Sequence, residues 1–190
     1  MPNAIHTALL FLIETLCSLY LFVLMIRIVL VWIRSDYFNP LTQFIVKLTN
    51  AFVKPLRRIL PNIYRLELAS VVLAFLLGLI KFSLLAYLNV GLANVLGLSV
   101  LSLGDMLATL LQVFTYAILL QALLSFVQPF SPINIILHRF TAPIMQPLQR
   151  IIPPIAGLDL SPIPALIGLQ LLSILIVNPL MAWGQGIAFN

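Results

Sequence analysis

The chain has 190 residues, of which 62% are hydrophobic and 8% charged, with a formal net charge of +5. An ordinary soluble domain carries about 25% charged residues, and no soluble fold of this size has an interior large enough to hide so much apolar surface. Composition therefore excludes an ordinary soluble domain and points to an integral membrane protein.

Four apolar stretches are long enough to cross a hydrocarbon core of about 30 Å at about 1.5 Å per residue. The first is Thr7–Ile33, which contains Glu14 and Arg27. Its run is too long for a signal-peptide core and has no basic segment before it, so it is expected to stay as a helix. The second is Leu68–Leu88, with Lys81; the third, Met106–Val127, and the fourth, Pro164–Trp183, are uncharged. Between the second and third, Asn89–Asp105 is apolar but interrupted by Gly91, Gly97 and Gly104, which reads as an interfacial loop or short helix. The lone cysteine, Cys17, lies inside the first run, so no disulfide framework or cysteine-pair site is expected.

Basic residues set the expected orientation. Arg34, Lys47, Lys54, Arg57, Arg58 and Arg65 lie between the first two spans, and Arg139 and Arg150 lie between the last two. The connector and both tails carry none, so both basic segments are expected in the cytoplasm and both termini outside.

Those basic segments are copies of one another. Asn39–Pro61 (NPLTQFIVKLTNAFVKPLRRILP) returns 92 positions later as Ser131–Pro153 (SPINIILHRFTAPIMQPLQRIIP), with Pro40/Pro132, Thr49/Thr141, Pro55/Pro147 and Arg58/Arg150 among the identities. Glu67-Leu68 matches Asp159-Leu160 in the same register. Asn39-Pro40 and Ser131-Pro132 are each an N-cap followed by proline at the first helical position. Gln43, Lys47, Asn50, Lys54 and Arg57 then form a polar stripe, with Leu41, Phe44, Ile45, Leu48, Phe52, Leu56, Ile59 and Leu60 on the other side. Pro55, Pro143 and Pro147 predict a bend before a final turn at Pro61 or Pro153. Ser161-Pro162 is expected to cap the fourth span, with Asp159 near its positive end.

The expected fold is thus an all-α membrane protein. It has four transmembrane helices in two parallel repeats, each with a cytoplasmic, proline-kinked amphipathic interfacial helix. The modules are 1–90 and 106–190, joined by an external connector at 91–105.

With Arg27 and Gln121 in the spans, Pro-Leu-x-Arg-Ile-[Leu/Ile]-Pro twice and Leu158-Asp159-Leu160-Ser161-Pro162, the chain resembles the YggT (YlmG) family over residues 12–180. The first module departs from the pattern at Leu66–Ser70, and Gln128–Phe130 is two residues shorter than its counterpart. The resemblance implies a bacterial inner-membrane or plastid location. It also implies a link to osmotic-stress tolerance, to cell division and nucleoid distribution or, in a plastid relative, to haem attachment on a cytochrome.

Candidate sites follow from charge. Lys47, Lys54, Arg57, Arg58, Arg139 and Arg150 are readable as simple interfacial anchors or as a surface that binds anionic headgroups or a partner. Arg27 can snorkel or pair with Glu67. Glu14 and Lys81, each about seven residues from an external end, are expected to pair with one another, because an unpaired charge at depth costs about 2.5–3.5 kcal/mol on insertion scales. Glu67 and Asp159 are the acids of the repeat. His6 and His138 fall on opposite sides of the membrane, and no cofactor or metal site is expected. No nucleophile–base constellation or phosphate loop is present, so an enzyme is not expected. The expected function is a scaffold or assembly factor, with a small osmotically gated channel or transporter as the alternative. Expected partners are membrane lipids, a membrane protein or a second copy; direct nucleic-acid binding is not expected.

Overall fold

The computed structural model describes residues 4–34, 39–60, 66–128, 131–151 and 159–189. The expectations on Pro61, Arg65, Pro153 and Gly157-Leu158 lie outside these residues. Helix α1 (Ala4–Trp32) ends where Arg34 takes a positive φ of 51°, the left-handed turn that closes many helices. It is followed by α2 (Pro40–Arg57), α3 (Leu68–Asn89), α4 (Val95–Val127) and α5 (Pro132–Ile151). The last span runs through α6 (Pro162–Leu172), a π-helical turn (Ser173–Val177) and α7 (Asn178–Phe189). Among the described residues, four helices are long and apolar enough to cross a membrane: α1, α3, α4 and the continuous Pro162–Phe189.

Contacts at both ends fix the directions of these helices. Arg27, late in α1, meets Glu67 at the start of α3, while His6, early in α1, bonds the Leu88 carbonyl late in α3. The amide of Asn94, before α4, donates to the Ala188 carbonyl near the end of α7. Hence α1 is antiparallel to α3, and α4 is antiparallel to α7. Lys81 of α3 meets Asp105 early in α4 across the short 90–94 connector, so α1 and α4 run the same way. The core lies where α1, α2, α3, α4, α5 and α6 converge, around Leu21, Leu24, Val53, Ile118 and Phe140.

Most of the stretch expected to be an interfacial loop or short helix is the first third of α4. Asn94 caps it, its side chain accepting from the Leu96 amide at 3.0 Å. Gly97 and Gly104 do not break this helix; they let it approach α7. A Cβ on Gly104 would lie 2.6 Å from Met181 Sδ, and one on Gly184 would lie 2.9 Å from Leu101. Gly97 similarly faces the Ala188 backbone. Small residues at such spacing are how helices pack closely in lipid, where no hydrophobic drive pulls them together. Gly91, with φ of 110°, makes the actual turn. The third span therefore begins at Val95 and contains a charge, Asp105. At 33 residues α4 is about 50 Å long, so it must tilt or project beyond the hydrocarbon.

Pro55 lies in the last turn of α2, which gives way to a turn at 58–60, while α5 continues as helix past Pro143 and Pro147. All three prolines are exposed, as are Ala51, Arg139 and Pro143, the residues whose carbonyls lose a helical donor to them. The caps at Asn39 and Ser131 form, accepting from the Leu41 amide at 2.9 Å and the Asn134 amide at 3.2 Å.

The apolar side expected for α2 divides in two. Thr42, Ile45, Thr49 and Val53 face the protein and are buried, whereas Leu41, Phe44, Leu48 and Phe52 are exposed. With the polar stripe, α2 presents three faces: one to its own module, one apolar and outward, one cationic.

Candidate functional site

In the first module, α2 is fastened to the spans through Arg27. The Arg27 guanidinium grips Glu67 with two hydrogen bonds, Nε to Oε2 at 2.7 Å and Nη2 to Oε1 at 2.9 Å. Its remaining nitrogen, Nη1, donates to Thr49 Oγ1 at 2.7 Å and Asn50 Oδ1 at 3.0 Å, both on α2. Ser70 donates to Glu67 Oε2 at 2.6 Å. Arg27 and Glu67 are 3% and 2% exposed, so this is a buried ion pair with most of its hydrogen-bonding capacity met. Such pairs fix geometry more than they add net stability. Burial pushes the Glu67 carboxyl up, but the hydrogen bonds from Arg27 and Ser70 and the charges of Arg27 and Arg57 outweigh it and hold it below its ordinary range. Arg57, largely exposed, stands 3.9 Å from Glu67 and links this interior network to the cationic face.

The second module repeats the fastening with neutral groups. Gln121 takes the place of Arg27. Its Oε1 is bonded by the Thr141 hydroxyl, and its Nε2 meets His138 Nδ1 at 3.1 Å. Thr141 also bonds the Leu137 carbonyl, as Thr49 bonds that of Ile45. Without a buried cation to answer, Asp159 stays outside, where Gln149 Nε2 donates to it at 2.8 Å. Gln149 is the counterpart of Arg57, so the link from last helical turn to repeat acid survives. Burial raises the Asp159 carboxyl, but hydrogen bonds from Ser161 and Gln149 and the nearby His138 bring it below the usual value. Ser161 does not have the extended backbone of a cap; Asp159 Oδ1 instead accepts the Ser161 amide at 2.9 Å.

Glu14 and Lys81 are not brought together. Lys81, 5% exposed, points to Asp105 Oδ2 at 2.6 Å and Ser18 Oγ at 3.2 Å. The pairing expectation failed because Asp105 is inside a helix that begins at Val95, eleven residues before the start its composition indicates. Glu14 lies one turn from Ser18 on the exposed side of α1. The Lys81–Asp105 pair therefore ties the first module to the second.

Lys47, Lys54, Arg57, Arg58, Arg139 and Arg150 are all exposed on α2, α5 and the turn after α2. His6 and His138 serve as separate hydrogen-bonding groups, one at Leu88 and one at Gln121. Between the modules runs an apolar groove of about 250 Å³, walled by Phe22, Ile26 and Leu30 of α1, Val113 and Tyr116 of α4, and Phe140 of α5.

These features define an all-α membrane protein built from one span–amphipathic helix–span module written twice. The family model described as CCB3/YggT matches it in two tandem segments, residues 6–88 and 100–180. The chain belongs to this family. An uncharacterised protein from the proC 3′ region of Vibrio alginolyticus is 41% identical over 92% of this chain and 97% of its own length. One from Pseudomonas aeruginosa is 36% identical over 94% and 92%, and the YggT protein of Escherichia coli K12 is 32% identical over 92% of each. No solved structure matches.

Proposed function

We propose that this chain is a non-enzymatic scaffold of the bacterial inner membrane. Its two basic helices form a cytoplasmic platform for anionic headgroups or a partner carrying anionic groups. The observation that carries the reading is the matched fastening of α2 and α5. Thr49 on one and Thr141 on the other are bonded from equivalent span positions, Arg27 and Gln121, leaving the cations exposed on a held support. Simple anchoring by snorkelling lysines needs no such support. The cluster of basic residues on both helices supports the cytoplasmic placement, with both termini external. Each cation near an anionic surface contributes about 1 kcal/mol. Osmotic-stress protection is the physiological role that the family resemblance suggests for such a platform.

Retention of anionic phospholipid by the purified chain, measured by native mass spectrometry against a zwitterionic lipid, tests the reading. Arg58→Ala/Arg150→Ala should lower retention about thirtyfold, two cations' worth, at unchanged protein level. Lysine at both positions should restore it poorly if two-pronged recognition operates, and well if charge suffices. Unchanged retention and unchanged osmotic survival in the alanine double variant would leave the helices as anchors. A small channel is the second reading, and the charged Lys81–Asp105 pair inside the spans is the observation in its favour. Ion flux from liposomes containing the chain, lost on substitution of that pair, would favour the channel over the platform.

A further inference from the structure

The first module has a groove between α1 and α3 that is filled by the start of α4. Lys81 Nζ donates to both Asp105 of α4 and Ser18 of α1, and Ser102 donates to the Phe75 carbonyl at 2.7 Å while resting on Gly78. The repeat places the equivalent groove between α4 and α6, with Ala108, Gln112, Gln170 and Ser173 standing where Glu14, Ser18, Gly78 and Lys81 stand in the first. There a cleft of about 350 Å³ lies open, lined entirely by the second module. Its walls are polar in the middle of apolar spans: Gln112, Thr115, Tyr116, Gln170 and Ser173. Gln112 and Gln170 are exposed. Gln112 reaches the Tyr116 hydroxyl at 3.0 Å, but the Gln170 amide makes no hydrogen bond among the described residues.

Elsewhere in the molecule stands the missing complement. Glu14 is exposed on α1, ten residues inside the helix, with no ion pair among the described residues. An ionisable side chain at such depth and facing outward is costly unless something covers it. The first spans of the two modules run in the same direction, and Glu14 is the counterpart of Ala108 in the repeat. Ala108 is on the lip of the cleft, one turn from Gln112. Acceptor and donors thus match in chemistry and stand at corresponding stretches of the repeat, on opposite modules of one chain.

We propose that a second copy of this chain covers the cleft. Its α1 lies along α4 and α6, and its Glu14 accepts hydrogen bonds from the Gln170 amide and the Ser173 hydroxyl. The contact repeats between copies the step that α4 makes onto the first module within one chain. It is heterologous, joining different surfaces of the two copies, so it closes into a ring or extends. A lipid headgroup is a poorer occupant, since the cleft lies well inside the spans and offers no cation.

Förster transfer between donor- and acceptor-labelled full-length chains tests this. Labels are placed at Asn190→Cys in a Cys17→Ser background, in zwitterionic bilayers over a range of protein-to-lipid ratios. The wild type should associate on dilution. Glu14→Leu and Gln170→Leu should each weaken association about tenfold, the upper range for interhelical hydrogen bonds in membranes. Glu14→Gln, which still accepts, should keep most of it. Both positions are exposed, so helicity should be unchanged in every variant. A wild type that stays monomeric at every ratio overturns the proposal, as does either leucine variant associating as tightly as the wild type.

Discussion

In the first module the residue that ties the amphipathic helix to its span is Arg27; in the second it is Gln121, and each bonds a threonine at the same step of the repeat. The difference in charge propagates outward. A buried guanidinium needs a counter-charge, so Glu67 is drawn inside, bonded at both oxygens and assisted by Ser70. A buried amide does not, so Asp159 remains outside, held by Gln149 and the Ser161 amide. The comparison separates what the architecture requires from what one module added. A polar bond from span to helix recurs; the ion pair does not.

That separation can be broken most forcefully at Glu67. Glu67→Ala leaves Arg27 buried without a counter-charge, and should cost about 3–5 kcal/mol of stability in detergent. Asp159→Ala should cost about 1 kcal/mol or less, since it removes hydrogen bonds at the surface. Arg27→Gln together with Glu67→Gln rewrites the first module in the chemistry of the second, and should be milder than the sum of the single changes. Equal losses from Glu67→Ala and Asp159→Ala would erase the distinction between the modules.

Next in size is the tie between modules. Lys81→Ala and Asp105→Ala should each destabilise by about 2–4 kcal/mol, with strong coupling in a double-mutant cycle. Glu14→Ala should show no coupling to Lys81. Coupling of Glu14 rather than Asp105 to Lys81 would contradict the packing of α4 on α3.

A smaller effect is expected from pH. The Glu67 carboxyl is held below its ordinary value of 4.5 in the folded protein. Its contribution is therefore complete above that value and is lost as pH falls through the lower, folded one. Thermal stability should drop in that acid window, and Glu67→Gln should flatten the drop. A wild type and a Glu67→Gln variant with parallel acid profiles would mean that the network does not titrate with folding.

Much of this was legible in the sequence. The spans were readable because length and apolarity alone decide what crosses lipid, and the modules because prolines, threonines and arginines recur at fixed spacing. The start of α4 was not. Gly97 and Gly104 look like breakers until their neighbours are known, since a glycine in a loop and a glycine under a packed helix are the same letter. The available signal was Asn94, an N-cap residue. The misplaced partner of Lys81 followed from this error, because a third span that starts at Met106 leaves Asp105 outside it. The buried face of α2 was obscured for a related reason. Thr42 and Thr49 are polar by composition, yet they face inward; Thr49 hydroxyl bonds the Ile45 carbonyl and Arg27. Which threonine turns inward depends on the span beside it, which periodicity within one helix does not encode.

The central claim is that the two basic helices are held as a fixed pair by bonds at Thr49 and Thr141. Spin labels at Lys54→Cys and Arg150→Cys, in a Cys17→Ser background in bilayers, measure it directly through their separation. The account predicts a single narrow distance distribution that broadens in Thr49→Val/Thr141→Val. A broad distribution in the chain with both threonines intact, or no broadening in the valine variant, would contradict it.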